Sequence, residues 1–329
     1  MSGQPDEFQL IDELFAPLAA GFPGALGLRD DAALLVPEPG NELVATVDAM
    51  VAGVHFLPDD PPDLVARKLV RVNLSDLAAK GAHPYAVMLA CAFPKGTGVD
   101  WLRGFAKGLG QDLREFGVAL AGGDTVATPG PLTLSLTAFG QVGKGRAVLR
   151  SGARAGDRLW VTGTIGDGAL GLAAARGLLG VGATDAAFLA DRYRLPRPRV
   201  RAGQGLAGVA SAGMDVSDGL LQDLGHLCRA SGVAAVVEVE SVPMSDAARA
   251  ALAADVSLLA TVLTGGDDYE LLFTAPAAAT QDVLDLARRT GVPLTAIGTM
   301  SVGQGVSVTD ATGQAISLGQ GGWRHFSAT

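Results

Sequence analysis

Acidic residues recur in this sequence beside glycine or serine, at the ends of short apolar segments. Four such places are residues 73–76 (Asn-Leu-Ser-Asp), 122–125 (Gly-Gly-Asp-Thr), 215–219 (Asp-Val-Ser-Asp-Gly) and 265–270 (Gly-Gly-Asp-Asp-Tyr-Glu). Asp30, Asp31 and Asp48 lie upstream of them. Mg²⁺ takes oxygen ligands and is usually shared between one or two carboxylates and substrate phosphates. The pattern therefore predicts an enzyme that handles phosphate through Mg²⁺ rather than through basic side chains.

Each motif taken alone also has a purely structural interpretation. Ser217 and Asp218 could cap a helix, and a Gly-Gly-Asp sequence is often only a turn. Asp76 is different, because it falls on the apolar face of a predicted helix, where an unpaired carboxylate is costly. Two like charges ~4 Å apart repel by roughly 4 kcal/mol at an effective dielectric of 20. Several aspartates that face a triphosphate therefore require divalent cations between them.

Other phosphate and metal signatures are missing from the sequence. No Gly-x-x-x-x-Gly-Lys-Ser/Thr motif occurs, which excludes a P-loop enzyme. Residues 203–208 match the dinucleotide fingerprint formally, but they follow a proline-rich joint rather than a strand, so we interpret them as packing glycines. The four histidines show no zinc spacing.

Length, composition and charge restrict the class of protein. The chain has 329 residues, which predicts two domains, and 48% of them are hydrophobic. Its net charge of −9 argues against a nucleic-acid surface, which needs clustered Lys and Arg. No apolar run reaches membrane-spanning length, and no signal peptide is recognisable. Cys91 and Cys228 form no metal or redox spacing, so we expect a cytoplasmic enzyme.

Hydrophobic periodicity predicts strands that alternate with helices in both halves of the chain, an α/β or α+β class. We expect helices over 64–79, 102–116 and 167–177 and from 220 onward, the last with Ser217 as N-cap. Strands are expected over 132–137, 158–162 and 270–274, and over 118–121, from which the chain enters a tight Gly-Gly-Asp loop. The glycine-rich passage over 143–156 predicts a domain boundary.

Together, and in this order, the motifs resemble the thiamine-monophosphate kinase family over nearly the whole chain. They include Asp30-Asp31-Ala-Ala-Leu-Leu, Asp48 followed after six residues by His55-Phe56, Val72-Asn-Leu-Ser-Asp-Leu-Ala-Ala-Lys-Gly81, Gly122-Gly-Asp-Thr125, Arg150-Ser-Gly-Ala153, Asp215-Val-Ser-Asp-Gly-Leu220, Gly265-Gly-Asp-Asp-Tyr-Glu-Leu271 and Trp323-Arg-His-Phe326.

This resemblance implies the two-domain α/β (α+β) fold shared with aminoimidazole-ribonucleotide synthetase. In that fold, an N-terminal sheet domain, here residues 1–145, would bind ATP and Mg²⁺ and form a homodimer. The C-terminal α/β domain, residues 146–329, would complete the nucleotide and substrate site. The implied reaction converts ATP and thiamine monophosphate into ADP and thiamine diphosphate.

The resemblance also implies a role for individual residues. Several Mg²⁺ ions would be held by Asp31, Thr46, Asp48, Asp76, Asp124 and Asp215, and a further ion by Asp218. ATP would contact Gly123, Asp124, Arg150 and Ser217, and thiamine monophosphate would contact His55, Asp267 and Trp323. We expect Asp124 and Asp215 to be the catalytic pair that bridges metal between nucleotide and acceptor, because their motifs lie in different predicted domains.

The chain departs from the family pattern at three places. Asp267 stands where the family usually has glutamate, the residues after Thr125 lack a usual arginine, and Val47 replaces a common hydroxyl residue. Two other functions stay open. Selenophosphate synthetase would need a reactive Cys or selenocysteine and a Lys near the N-terminus, and residues 1–30 contain neither Cys nor Lys. A non-catalytic nucleotide- or metal-binding regulator is the other alternative.

Overall fold

The computed structural model describes residues 10–316, and the chain divides into two compact units. The N-terminal unit contains the chain up to Leu77 together with Ala82–Lys144. The C-terminal unit starts at Gly145 and includes the short segment Ala78–Gly81. No helix among the described residues combines the length and hydropathy that a membrane span requires.

A four-stranded sheet in the order β1-β4-β2-β3 forms the N-terminal unit. Its strands are β1 (Asn41–Val51), β2 (His83–Pro94), β3 (Ala119–Thr128) and β4 (Thr133–Gly143). Its helices are the short α1 (Ala16–Ala19) and the long α2 (Pro62–Ala79) and α3 (Val99–Phe116). Gly117 adopts φ +65° and ends α3, as the sequence predicts for this position.

The alternation in β4 sorts its side chains between the two faces of this sheet. Leu132, Leu134 and Leu136 are buried, whereas Thr133, Ser135 and Thr137 are only partly covered. The leucine face therefore belongs to the interior of this unit and is not available to a partner subunit.

The Gly-Gly-Asp sequence lies inside strand β3, so the predicted tight loop is wrong. Gly122, Gly123 and Asp124 pair in parallel with Met88, Leu89 and Ala90 of β2, just after a bulge in the register. A Cβ atom at Gly123 would collide with the carbonyl oxygen of Leu89. These glycines allow the two backbones to approach closely, which is a known use of glycine within a strand.

A six-stranded sheet in the order β10-β7-β9-β5-β8-β6 forms the C-terminal unit. The strands are β5 (Arg158–Thr162), β6 (Ala212–Asp215), β7 (Ala234–Glu238), β8 (Leu271–Ala275), β9 (Leu294–Ser301) and β10 (Gly305–Thr309). The helices are α4 (Asp167–Ala175), α5 (Ala183–Arg194), α6 (Val200–Leu206), α7 (Leu220–Ser231), α8 (Asp246–Ala254), α9 (Leu258–Thr264) and α10 (Thr280–Thr290).

Close packing explains the formal dinucleotide fingerprint in α6. A Cβ atom at Gly203 would collide with the carbonyl oxygen of Ala78, and one at Gly205 would collide with Leu286. The interpretation of these residues as packing glycines is therefore confirmed.

Candidate functional site

A pocket in the N-terminal unit brings two of the acidic motifs together. Asp30 and Asp31 line it with Gly123 and Asp124 of β3, and its volume, including space open to solvent, is about 690 Å³. Apolar side chains also line it, among them Ile11, Phe15, Leu28 and Leu120. The lining of the pocket thus combines carboxylates and glycines with apolar side chains.

Three further predicted ligands gather between β1 and α2 in the same unit. The Thr46 hydroxyl donates to Oδ2 of Asp76 at 2.5 Å, and the backbone N–H of Asp48 donates to Oδ1 of Asn73 at 3.1 Å. Asn73 is fully buried, and its Nδ2 donates to the carbonyl oxygen of Leu69. These hydrogen bonds connect β1, which carries Asp48, to α2, which carries Asp76.

His55 lies in a tight turn directly after β1. Its Nδ1 accepts the backbone N–H of Val51 at 3.0 Å, so in the neutral ring Nε2 carries the hydrogen. The buried Lys68 donates from Nζ to the carbonyl oxygen of His55 at 2.9 Å. The turn therefore fixes the ring as a potential N–H donor.

In the C-terminal unit, Asp215 ends β6 and is buried, and Ser217 and Asp218 follow it. The backbone N–H groups of Ser217 and Asp218 both donate to Oδ2 of Asp223, each at 3.0 Å. Asp223 lies in the first turn of α7. Burial raises its pKa to about 7, although the hydrogen bonds from these backbone N–H groups lower it. Ser217 is therefore not the predicted helix cap: Gly219 holds that position, and Asp223 reaches back to order the loop.

Arg150 and Asp218 lie near the same exposed face of α7. Both act electrostatically on His226: burial lowers its pKa most, Arg229 and Arg150 lower it further, and Asp218 opposes them. The Asp218 carboxylate also accepts from Nε2 of Gln222 at 3.2 Å. The structure thus places a predicted nucleotide contact and a predicted metal ligand in one neighbourhood of this unit.

The loop at residues 265–270 joins the loop at 215–219. The N–H of Asp267 donates to the carbonyl oxygen of Ser217 at 2.9 Å, and the N–H of Tyr269 donates to that of Val216 at 2.8 Å. Asp267 has φ +71°, a conformation that Asp tolerates better than most residues with side chains. Trp323, the third predicted substrate contact, lies outside the described residues.

The oxygen ligands fit Mg²⁺ although they do not form a closed cage. Within residues 10–316, no three Asp, Glu, His or Cys side chains are close enough to hold a metal ion by themselves. Mg²⁺ typically uses one or two carboxylates and completes its shell with water and phosphate oxygens. The paired oxygens of Thr46 and Asp76, and the carboxylates that line the pocket, match that type of site.

Four buried polar residues to which the sequence assigned no role support these loops. Asn73 and Asp223 bind the backbone of predicted ligands, Asp268 accepts the N–H of Gly166, and Glu270 accepts from Arg192. The sequence offers one signal for them: each is an Asn, Asp or Glu within six residues of a predicted ligand.

Family profiles match both halves of the chain. The profile described as AIR synthase related protein, N-terminal domain, matches residues 29–142, and that of the C-terminal domain matches residues 154–311. Thiamine-monophosphate kinase of Caulobacter vibrioides is 45% identical over 324 residues, which are 98% of this chain and 91% of that protein.

Solved structures agree with the sequence relatives. The crystal structure of thiamine-monophosphate kinase from Stenotrophomonas maltophilia K279a is 43% identical, with a TM-score of 0.80 over 88% of this chain and 90% of that one. AaThiL complexed with AMPPCP and TMP is 30% identical, with a TM-score of 0.78 over 97% of each chain. This chain, with its two matched domains and its full-length relatives, belongs to the thiamine-monophosphate kinase family.

Proposed function

We propose that this protein transfers the terminal phosphoryl group of ATP to thiamine monophosphate, giving ADP and thiamine diphosphate. The observation that carries the proposal is full-length membership of a family whose relatives bear the name of this activity. The related AaThiL was solved with AMPPCP and TMP, which we take as an ATP analogue and the acceptor substrate of the reaction proposed here.

The pocket of the N-terminal unit supports nucleotide binding. Its apolar side chains suit a purine base, and Gly123 and Asp124, which also line it, suit phosphates with bound Mg²⁺. We assign Gly123 and Asp124 of this unit, and Arg150 and Ser217 of the C-terminal unit, as nucleotide contacts.

The proposed Mg²⁺ ligands are side chains with oxygen atoms, and they come from both units. We assign Mg²⁺ to Asp31, Thr46, Asp48, Asp76, Asp124 and Asp215, with Asp218 on a further ion. When bound, Mg²⁺ would neutralise the charge of the phosphates that these carboxylates would otherwise repel.

The acceptor site is proposed to use His55, Asp267 and Trp323. The Nε2–H of His55 suits a phosphate oxygen, because Nδ1 is already used by the Val51 amide. A carboxylate such as Asp267 suits the cationic, N–H-bearing rings of thiamine. For Trp323 we propose stacking on those rings.

The chemistry requires little covalent help from the protein. The acceptor is a phosphate oxygen that is already ionised at neutral pH, so no strong general base is needed. The protein aligns the two phosphates for in-line transfer, and alignment of reactants supplies a large part of such a barrier reduction. Asp124 and Asp215 are our candidates for this central role.

Two alternatives have less support. A selenophosphate synthetase-like activity shares the fold, but the near full-length relatives bear another name. A non-catalytic regulator would not need the acidic residues of all four motifs. Homodimer formation and a cytoplasmic location stay predictions.

A coupled assay with ATP, Mg²⁺ and thiamine monophosphate tests the proposal. Asp124→Asn should lower turnover by at least about 100-fold, because it would weaken binding of the Mg²⁺ that neutralises transition-state charge, and loss of such stabilisation typically costs this much. Asp100→Asn, at an exposed carboxylate on α3, is the matched control and should keep wild-type turnover. Wild-type turnover in Asp124→Asn would contradict the role assigned to this residue.

A further inference from the structure

The loop at residues 265–270 has an unusual backbone. Asp267 has φ +71° and Tyr269 has φ +52°, so two residues with side chains adopt the left-handed region within three positions. This conformation brings Cβ close to the following carbonyl oxygen and is unfavourable for such residues. It persists only where the surrounding structure holds it.

Backbone hydrogen bonds tie residues 267–270 to the loop at residues 215–219. The amides of Asp267 and Tyr269 donate to the carbonyl oxygens of Ser217 and Val216, and the amide of Val216 donates to the carbonyl oxygen of Glu270. These bonds connect the left-handed loop to one neighbouring loop.

The side chain of Asp268 connects the loop to a second segment. The residue is 1% exposed; its Oδ2 accepts the N–H of Gly166 at 2.7 Å and its Oδ1 accepts the N–H of Gly168 at 2.9 Å. Gly166 is the N-cap of α4, so both donors belong to the unsatisfied amides at a helix start. Asp268 thus ties the left-handed loop to residues 163–168.

The backbone at 163–168 is shaped for this contact. A Cβ atom at Gly168 would collide with the carbonyl group of Asp267, and Gly166 has φ +89°. Glycine is therefore required at both positions where the two segments meet. Gly168 allows the close approach to Asp267, and Gly166 adopts a positive φ.

Residues 163–168 are themselves firmly anchored. Asp167 accepts from the hydroxyls of Thr164 at 2.5 Å and Ser245 at 2.6 Å. Beside it, the buried Glu270 accepts from Thr162 at 2.6 Å, and it forms ion pairs with Arg192 and Arg199. Asp268 therefore connects the left-handed loop to a rigid part of the fold.

We propose that Asp268 is a positioning residue, which keeps Asp267 in its left-handed conformation and thereby orients the Asp267 carboxylate toward thiamine monophosphate. The identity of the substrate in this inference rests on the proposed function. The connection between residues 265–270 and residues 163–168 rests only on the hydrogen bonds of Asp268. Asp268 itself touches no reacting atom.

Asp268→Asn is the test variant, because its amide nitrogen cannot accept the second N–H. Asp246→Asn is the matched control, at an exposed carboxylate of α8 in the same unit. At about pH 9, where the Asp268 carboxylate is ionised, we expect Asp268→Asn to raise KM for thiamine monophosphate about tenfold or more, with KM for ATP within about twofold of wild type. Asp246→Asn should change neither constant.

Hydrogen exchange measured by mass spectrometry supplies a readout that is independent of turnover. In Asp268→Asn, peptides covering 163–170 and 265–270 should both exchange faster than in wild type and in Asp246→Asn. Equal increases in both KM values, unchanged KM values, or faster exchange in only one of the two peptides would overturn the proposal.

A measurement on wild-type protein covers the case in which the variant does not fold. Thiamine monophosphate should slow exchange in 163–170 as well as in 265–270, although we assign no substrate contact to the first segment. Protection confined to 265–270 would overturn the positioning role. If wild-type protein binds thiamine monophosphate but shows no turnover, the proposed function fails while these exchange results still decide the role of Asp268.

Discussion

Asp267 and Asp268 are adjacent carboxylates in contrasting surroundings. Asp267 is partly exposed and left-handed, whereas Asp268 is buried and accepts two backbone N–H groups. Burial raises the pKa of Asp268 to about 8, while its hydrogen bonds to Gly166 and Gly168 act in the opposite direction. The same dipeptide thus combines one side chain that we propose to contact substrate with one that stabilises the fold.

The raised pKa of Asp268 predicts a pH dependence of stability. Its ordinary value is 3.8, so above about pH 4 the unfolded chain loses this proton while the folded protein keeps it up to about pH 8. The contribution of this group to stability therefore falls as pH rises across that window and is level above it.

Urea unfolding at several pH values would measure this effect as a difference between two proteins. The free energy of unfolding of wild type minus that of Asp268→Asn should decrease from about pH 4 to about pH 8. Asp223, with its own raised pKa, is present in both proteins, so its contribution cancels. A difference that stays constant over this range would show that Asp268 does not titrate in this way.

Among individual residues, the sequence marks the candidate ligands more clearly than the residues that hold their loops in place. Asp31, Asp76 and Asp124 are recognisable because each stands beside a small residue at the end of an apolar segment. Asp223 and Asp268 carry no such mark, because their role depends on amides that come from other parts of the fold.

Strand β3 shows how one element positions a site residue. Among residues 10–316 it lies at the edge of its sheet and pairs only with β2, and its Gly122, Gly123 and Asp124 line the pocket. The sequence predicts the apolar start of this strand, residues 118–121, but not its continuation to Thr128. The glycines suggest a turn, and their actual purpose, close approach to Leu89, depends on a partner strand that is distant in sequence.

Gly123→Ala should therefore disturb β3. Its Cβ would meet the Leu89 carbonyl oxygen, which cannot move without breaking the β2–β3 pairing, and we expect a loss of about 1–3 kcal/mol in the free energy of unfolding. Gly130→Ala is the control, because its Cβ would meet only Thr128 Oγ1 at 3.5 Å. Urea denaturation of both variants checks this, and equal stabilities would contradict the close approach.

At the scale of the whole molecule, one face of the N-terminal sheet carries exposed apolar side chains that matter for the predicted homodimer. Leu43 and Val47 of β1 and Val126 of β3 share one face by their pairing register, and all three are exposed: 39%, 60% and 50% respectively. This face, rather than the buried leucine face of β4, is the apolar surface on which a predicted homodimer would depend.

Light scattering at micromolar concentration would test the predicted homodimer. We expect a dimer mass for wild type and a shift toward monomer for Val47→Glu, because a charge would be buried at the interface. Glu42→Lys, at an exposed neighbour on β1, serves as control. A monomeric wild type would contradict this prediction without affecting the proposed reaction.

Transfer of a phosphoryl group to thiamine monophosphate is most directly observed by ³¹P NMR of the reaction mixture. With wild-type protein, ATP and Mg²⁺, the single resonance of thiamine monophosphate should be replaced by the two coupled resonances of a diphosphate ester, with equimolar ADP. Chelation of Mg²⁺ should stop the conversion. Release of inorganic phosphate with thiamine monophosphate unchanged would contradict the proposed reaction.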